Sequence, residues 1–340
     1  MPASYLRWII PKELMMFKTE ICDIFNIQYP IILGGMIWVG KSHLVAAVSE
    51  AGGLGLMGAG GMTIEEIESE CGKVVEKTKK PFGVNIPLVR PDSKDMINAA
   101  IKSGASVIAT SSGSPMKFTR MIQDRGCRVI HVVANVKFAL KSRDAGVDAV
   151  AAEGYEAGGH NGHDEITTMA LIPQVTGAVN IPVIAAGGIA DGRGLVAAMA
   201  LGAKGVQMGT RFLATHEASA HSNYKEAIVR MMDVDTCVTG RTTVGPTRAI
   251  RNQLTDLIVN AEKEGVKPEE LFEMIGEGRS AMACIEGNCE EGSLYCGQIG
   301  GAVKEIKSAK QIIEDMIAEA KTVVESLNPL ISNGDPGITS

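Results

Sequence analysis

Short aliphatic runs recur along the chain, and their ends are marked by Gly, Asn, Thr or Ser ahead of longer amphipathic stretches. Eight such runs are legible. They are Pro30-Ile31-Ile32-Leu33, Leu54-Gly55-Leu56-Met57, Phe82-Gly83-Val84-Asn85-Ile86, Ser106-Val107-Ile108-Ala109, Arg128-Val129-Ile130-His131-Val132, Asp148-Ala149-Val150-Ala151-Ala152, Pro182-Val183-Ile184-Ala185-Ala186 and Gly205-Val206-Gln207-Met208. Runs of this length, nearly free of polar breaks, predict strands buried on both faces, as in a parallel sheet covered by helices.

The intervening text predicts one crossover helix per strand: His43 to Ala51, Thr63 to Thr78, Lys94 to Ser103, Pro115 to Arg125, Val136 to Ala145, Thr167 to Thr176 and Gly192 to Ala200. Eight βα repeats imply a closed (β/α)8 TIM barrel of the α/β class, because an open doubly wound sheet normally uses fewer strands. After Phe212 the rhythm changes to helical and loop text. Residues 17–215 together with a terminal helix at about 305–328 are therefore assigned to the barrel, and 216–304 to a helical and loop cap over its mouth. Residues 1–16 read as an extension and 329–340 as a flexible tail.

Composition narrows the possibilities. Apolar residues make up 45% of the chain and aromatics 4%, with 39 glycines, which suits an aliphatic core with close backbone approaches. A net charge of −6 offers no electrostatic footprint for nucleic acid. No apolar run reaches the roughly 20 residues of a membrane span, and no secretion signal is legible, so a cytoplasmic protein without membrane or nucleic-acid partners is expected. The seven cysteines are scattered without a CxxC pair, which points to reduced thiols and no metal site.

In a barrel of this kind the active site lies at the C-terminal ends of the strands. Gly187-Gly188 after the seventh run and Gly209-Thr210 after the eighth match a phosphate cradle, in which glycine lets backbone N–H groups approach an anion. Glycines that merely shape βα turns would look the same at one strand, but two adjacent strands with such loops favour phosphate. After the sixth run, Gly158-Gly159 can bring His160 into the mouth as an acid/base candidate, whereas His163 sits in a charged, solvated turn. His43 and His131 fall in a helix and a strand and read as packing residues. Asn85 is a polar interruption of a strand, suited to a cofactor ring edge or to capping a turn, and Gly34-Gly35-Met36 offers backbone and thioether contact with a flat ring.

These motifs, with Ala51-Gly52-Gly53-Leu54-Gly55, Glu153-Gly154 through His160, and Gln207-Met208-Gly209-Thr210-Arg211-Phe212, resemble the FMN-dependent barrel family of nitronate monooxygenases and flavin-containing enoyl-acyl-carrier-protein reductases II. The resemblance runs from about Phe17 onward. It implies FMN with its phosphate at Gly187, Gly188, Gly209 and Thr210 and its ring near Gly34, Gly35, Met36 and Asn85. It adds Glu153, Gly159 and Gln207 to the cofactor-binding set and makes His160 catalytic.

Arg248-Ala249-Ile250-Arg251-Asn252-Gln253-Leu254 and Gly297-Gln298-Ile299-Gly300-Gly301 look closer to the reductases, whereas the polar loop Asn161-Gly162-His163-Asp164-Glu165 departs from them. The implied reaction is NAD(P)H-dependent reduction of enoyl thioesters, free or linked to acyl carrier protein. Nitronate oxidation, or flavin binding without turnover, is the alternative. Homodimerisation is left open. No GxGxxG fingerprint follows a strand, so NADH or NADPH would bind transiently over the flavin as a co-substrate.

Overall fold

A computed structural model describes residues 17–243 and 245–327. The extension at 1–16 and the tail at 329–340 lie outside the described residues.

Eight parallel strands form one sheet: β1 (Ile31–Leu33), β2 (Gly55–Gly58), β3 (Phe82–Pro87), β4 (Val107–Ser111), β5 (Arg128–Val133), β6 (Ala149–Glu153), then β8 (Val183–Ala186) and β9 (Gly205–Met208). The two-residue β7 (Gly159–His160) lies outside that sheet. β1 pairs with β9 on one side, and on the other it meets the entry to β2 through the parallel Ile32–Leu54 bridge. Leu33 N donates to Leu54 O at 2.9 Å and Leu54 N to Ile31 O at 3.0 Å. The barrel is therefore closed, and all eight sequence-predicted strands belong to it.

Period-two alternation sends one set of side chains inward. Ile32, Leu54, Leu56, Val107, Ala109, Ile130, Ala149, Ala151 and Ile184 fill the barrel, and Ile21 and Phe25 of helix α1 (Glu20–Phe25) close it from below. Gly83 is also inward, where an added methyl would stand 2.7 Å from Leu56 Cδ2, so its missing side chain gives Leu56 room.

The opposite faces of the strands pack on α2 (Ser42–Glu50), α3 (Ile64–Lys77), α4 (Ser93–Lys102), α5 (Thr119–Gln123), α6 (Val136–Asp144), α7 (Thr168–Ala178) and α8 (Gly192–Ala200). After β9 only the four-residue α9 (Thr210–Leu213) follows directly. Further along come α10 (Ser222–Arg230), α11 (Gln253–Glu264), α12 (Pro268–Ile275), α13 (Arg279–Ala281) and finally α14 (Ala309–Leu327). α14 packs between α8 and α2 and completes the outer ring. Gly192 makes that fit: its N–H donates to Glu319 Oε2 at 2.8 Å, and a methyl there would stand 2.3 Å from Ala320 N.

Residues between α9 and α14 differ from the purely helical and loop cap expected. β10 (Thr236–Thr239) and β11 (Thr247–Ile250) form a hairpin, and β11 pairs antiparallel with β7, making a three-stranded sheet. β10 (TCVT) and β11 (TRAI) lack the uninterrupted aliphatic runs that mark the barrel strands, and a two-residue strand carries no periodicity at all. α11 and α12 add a small cluster of their own around Leu254, Ile258, Ala261 and Leu271. Among the described residues no helix is long and apolar enough to cross a membrane.

Candidate active site

Continuing each strand by two from its inward residue brings Gly34, Gly58, Asn85, Ser111, Val132, Glu153, Ala186 and Gln207 to the upper inner layer of the barrel. Apart from Val132, this layer is polar or very small, whereas the layers below are mostly aliphatic. Glu153, Ala186 and Gln207 stand in register across β6, β8 and β9. Asn85 Oδ1 accepts a hydrogen bond from Ser111 Oγ at 3.4 Å.

Two members of this layer lack protein partners. No group among the described residues donates to the Glu153 carboxyl, and burial pushes its pKa up to about 7. The Gln207 side chain is 9% exposed and lies against Gly34, where an added methyl would stand 3.4 Å from its Nε2, yet the amide makes no hydrogen bond with a described residue. Their polar atoms face the open mouth rather than protein, and convergent polar groups without protein partners at the end of a barrel point toward a ligand.

Around this floor the predicted loops converge. A methyl on Gly35 would stand 2.4 Å from Asn85 Cβ, so only glycine lets the β1 loop cross there. Met36 turns its thioether toward Gly209, whose added methyl would be 3.4 Å from the sulfur, and the Met36 backbone presses on Gly58. Gly187 (φ 88°) and Gly188 (φ 74°) both adopt the left-handed region at the end of β8, beside Gly209 and Thr210 at the end of β9. Thr210 Oγ1 accepts from Gly297 N at 2.9 Å, and its hydroxyl also interacts with the Cys296 thiol.

His160 reaches the mouth through a tightly held loop. Gly158 passes so close to the chain at 296–297 that a methyl would stand 2.6 Å from Cys296 C, and Gly159 turns with φ 81° into open space. His160 then pairs with Thr247 of β11. Asn161 clamps the turn beneath: its N–H donates to Pro246 O at 2.8 Å and its Nδ2 to Ala157 O and Gly159 O, each at 3.0 Å. The imidazole is open to solvent on one side, while surrounding protein lowers its pKa below the ordinary value by desolvation. It is therefore neutral at pH 7, able to donate from one ring nitrogen and accept at the other.

The other histidines separate cleanly. His163 is exposed, in the same polar turn where Glu165 pairs with Arg241 at 2.7 Å. His131 is buried, its Nδ1 2.7 Å from Thr110 Oγ1, with burial lowering its pKa to about 4. His43, read from sequence as a packing residue, is instead exposed on the outer face of α2.

Three residues at the mouth were not singled out from the sequence. Ser111 was visible only as strand-end punctuation, although its place two positions beyond Ala109 was a usable signal. Arg248 is 4% exposed, with its guanidinium 4.9 Å from the centre of the Tyr155 ring and its Nε donating to Tyr155 O at 3.1 Å. Tyr295 brings its ring centroid within 6.3 Å of that of His160. Neither contact leaves a local trace in the sequence.

The profile of the nitronate monooxygenase family matches residues 18–115 and 94–319. The chain belongs to this family. It is accordingly an oxidoreductase. Among family relatives, a Staphylococcus saprophyticus protein named "Probable nitronate monooxygenase" is 32% identical over 91% of this chain and 99% of its own length. A hydroxy-methyl-oxo-octahydroindene-carboxyl-CoA dehydrogenase of Mycobacterium tuberculosis is 32% identical, covering 93% of this chain and 100% of that one. FabK from Thermotoga maritima superposes with a TM-score of 0.88 at 46% identity, over 92% of this chain and 99% of that chain.

Proposed function

We propose that the protein is an FMN-dependent reductase of trans-2-enoyl thioesters, using NADH or NADPH, of the enoyl-acyl-carrier-protein reductase II type. The observation that carries the cofactor reading is the unpartnered polar layer of Glu153 and Gln207, set between the glycine loops after β8 and β9 and the crossing at Gly35 and Asn85. Gly187, Gly188, Gly209 and Thr210 would hold the phosphate, and Gly34, Gly35, Met36, Asn85, Glu153, Gly159 and Gln207 the remainder of FMN. When bound, FMN supplies hydride chemistry between the nicotinamide and the β-carbon of the thioester. A neutral His160 would donate a hydrogen bond from a ring N–H to the thioester carbonyl oxygen and help deliver the α-proton. The thioester reading draws on the 46% identity to FabK, an enoyl-acyl-carrier-protein reductase II, and on a relative whose name carries a CoA thioester. The seven unpaired cysteines suit a reducing cytoplasm.

The family match itself favours one rival, oxidation of nitronates or nitroalkanes, in which His160 would orient the nitronate or accept the α-proton of a nitroalkane at its free ring nitrogen. Anaerobic rapid mixing of the FMN-loaded protein separates the readings. Bleaching by NADH or NADPH followed by reoxidation with crotonyl thioester is the expected result. Bleaching by a nitronate alone selects the monooxygenase reaction and overturns the reductase. A chromophore that none of these bleaches identifies flavin binding without turnover.

A further inference from the structure

The segment Ser293 to Gln298 is tied down residue by residue. Ser293 N donates to Arg279 O at 2.9 Å, Leu294 O accepts from Ile250 N of β11 at 2.9 Å, and Tyr295 O accepts from the buried Tyr224 hydroxyl at 2.9 Å. Cys296 Sγ lies 3.6 Å from Met231 Sδ. Gly297 N reaches Thr210 Oγ1, and Gln298 N reaches Glu156 O at 2.9 Å. Apart from the Cys296 thiol contact, these bonds use backbone atoms of the segment, and none involves the side chain at position 295. One strap thereby joins the cap sheet, the loop of the glycine cradle and the loop that carries His160.

From this strap Tyr295 extends its ring to His160, with centroids 6.3 Å apart and planes inclined at 60°, a tilted arrangement within the favourable range for aromatic pairs. Tyr295 is half-buried, and burial raises its phenol pKa, so it is a neutral apolar wall at pH 7. The ionisable groups on the elements packed around His160 include Arg248 of β11, Cys237 of β10, Tyr155, Glu156, His163, Asp164 and Glu165 in its own loop, and Tyr295 and Cys296 of the strap. None of their charges perturbs the imidazole, whose lowered pKa has desolvation as its single cause.

We propose that Tyr295 is the positioning residue for His160, its ring forming a fixed wall that holds the imidazole at one place over the barrel mouth. The inference rests on the catalytic reading of His160. The ring, not the hydroxyl, performs this task, since the contact is between ring faces and edges.

The test compares Tyr295→Phe, Tyr295→Leu and Tyr295→Ala in the FMN-loaded protein. Two quantities are read: the rate of flavin reoxidation by crotonyl thioester across pH, and the titration of the His160 imidazole by NMR. Phe should match the wild type within about 2-fold, and Leu should fall between Phe and Ala. Ala should slow the step between about 10- and 100-fold, as expected for a displaced catalytic group, and move the imidazole pKa up toward 6.5 as water enters. A Phe variant as slow as Ala would assign the effect to the hydroxyl and overturn the proposal. So would an Ala or Leu variant with both titration and rate unchanged. The NMR titration requires no turnover. If His160→Ala kept the wild-type rate, the catalytic reading would fail while the Tyr295 titration still reported on the contact.

Discussion

Gly35 and Asn85 occupy the same point of the barrel mouth, because the position of a methyl on Gly35 lies 2.4 Å from the Asn85 Cβ. The overlap is with the first carbon of the asparagine, so no rotamer of Asn85 relieves it. Gly35→Ala should therefore cost about 1–3 kcal/mol of apoprotein stability, the usual range for overpacking, and weaken FMN binding. Asn85→Ala should leave that penalty in place, whereas Asn85→Gly should relieve part of it. Urea unfolding of the single and double variants, analysed as a double-mutant cycle, measures this coupling.

Gly188 has φ 74°, a backbone conformation that L side chains rarely adopt. Gly188→Asp adds that strain and places a carboxylate where the phosphate of FMN is proposed to sit. The variant should purify without yellow colour. Absorbance after desalting, alongside a circular dichroism check of folding, decides it: full FMN retention in the folded variant would remove phosphate from this loop.

His160 and His163 lie three positions apart but in different surroundings, one paired to β11 beside the Tyr295 ring and one in the polar turn beside the Glu165–Arg241 ion pair. His160→Ala should retain FMN and slow substrate-dependent reoxidation roughly 10²- to 10⁴-fold, the range for losing a positioned acid or base. His163→Ala should change the rate far less. A larger loss in His163→Ala, measured by the same rapid mixing, would reassign the histidine.

Glu153 connects the site to stability. Burial raises its carboxyl from 4.5 to about 7, so between these values the folded apoprotein holds a proton that the unfolded chain has released. The contribution of this group is fully present below about pH 4.5 and is lost as pH rises through 7. Glu153→Gln should flatten the pH dependence in that window and be the more heat-stable form above it. Thermal unfolding of both apoproteins from about pH 5 to 9 tests this; parallel curves would show that Glu153 titrates normally.

The eight aliphatic runs were enough to determine the barrel, because burial on both faces of a strand is written locally as a run of Val, Ile, Leu and Ala. The strand-end glycines were legible for a related reason. A left-handed turn, or a crossing as close as that of Gly35 over Asn85, demands glycine at a fixed place. Tertiary structure alone decided the partners of His160. A two-residue strand gains its meaning only by pairing with β11, and Tyr295 meets the imidazole only because backbone bonds from Arg279, Ile250, Tyr224, Thr210 and Glu156 hold its segment across the mouth. Such pairings join distant stretches whose local patterns are unremarkable, so their geometry arises from packing the cap onto the barrel and from no periodicity in either.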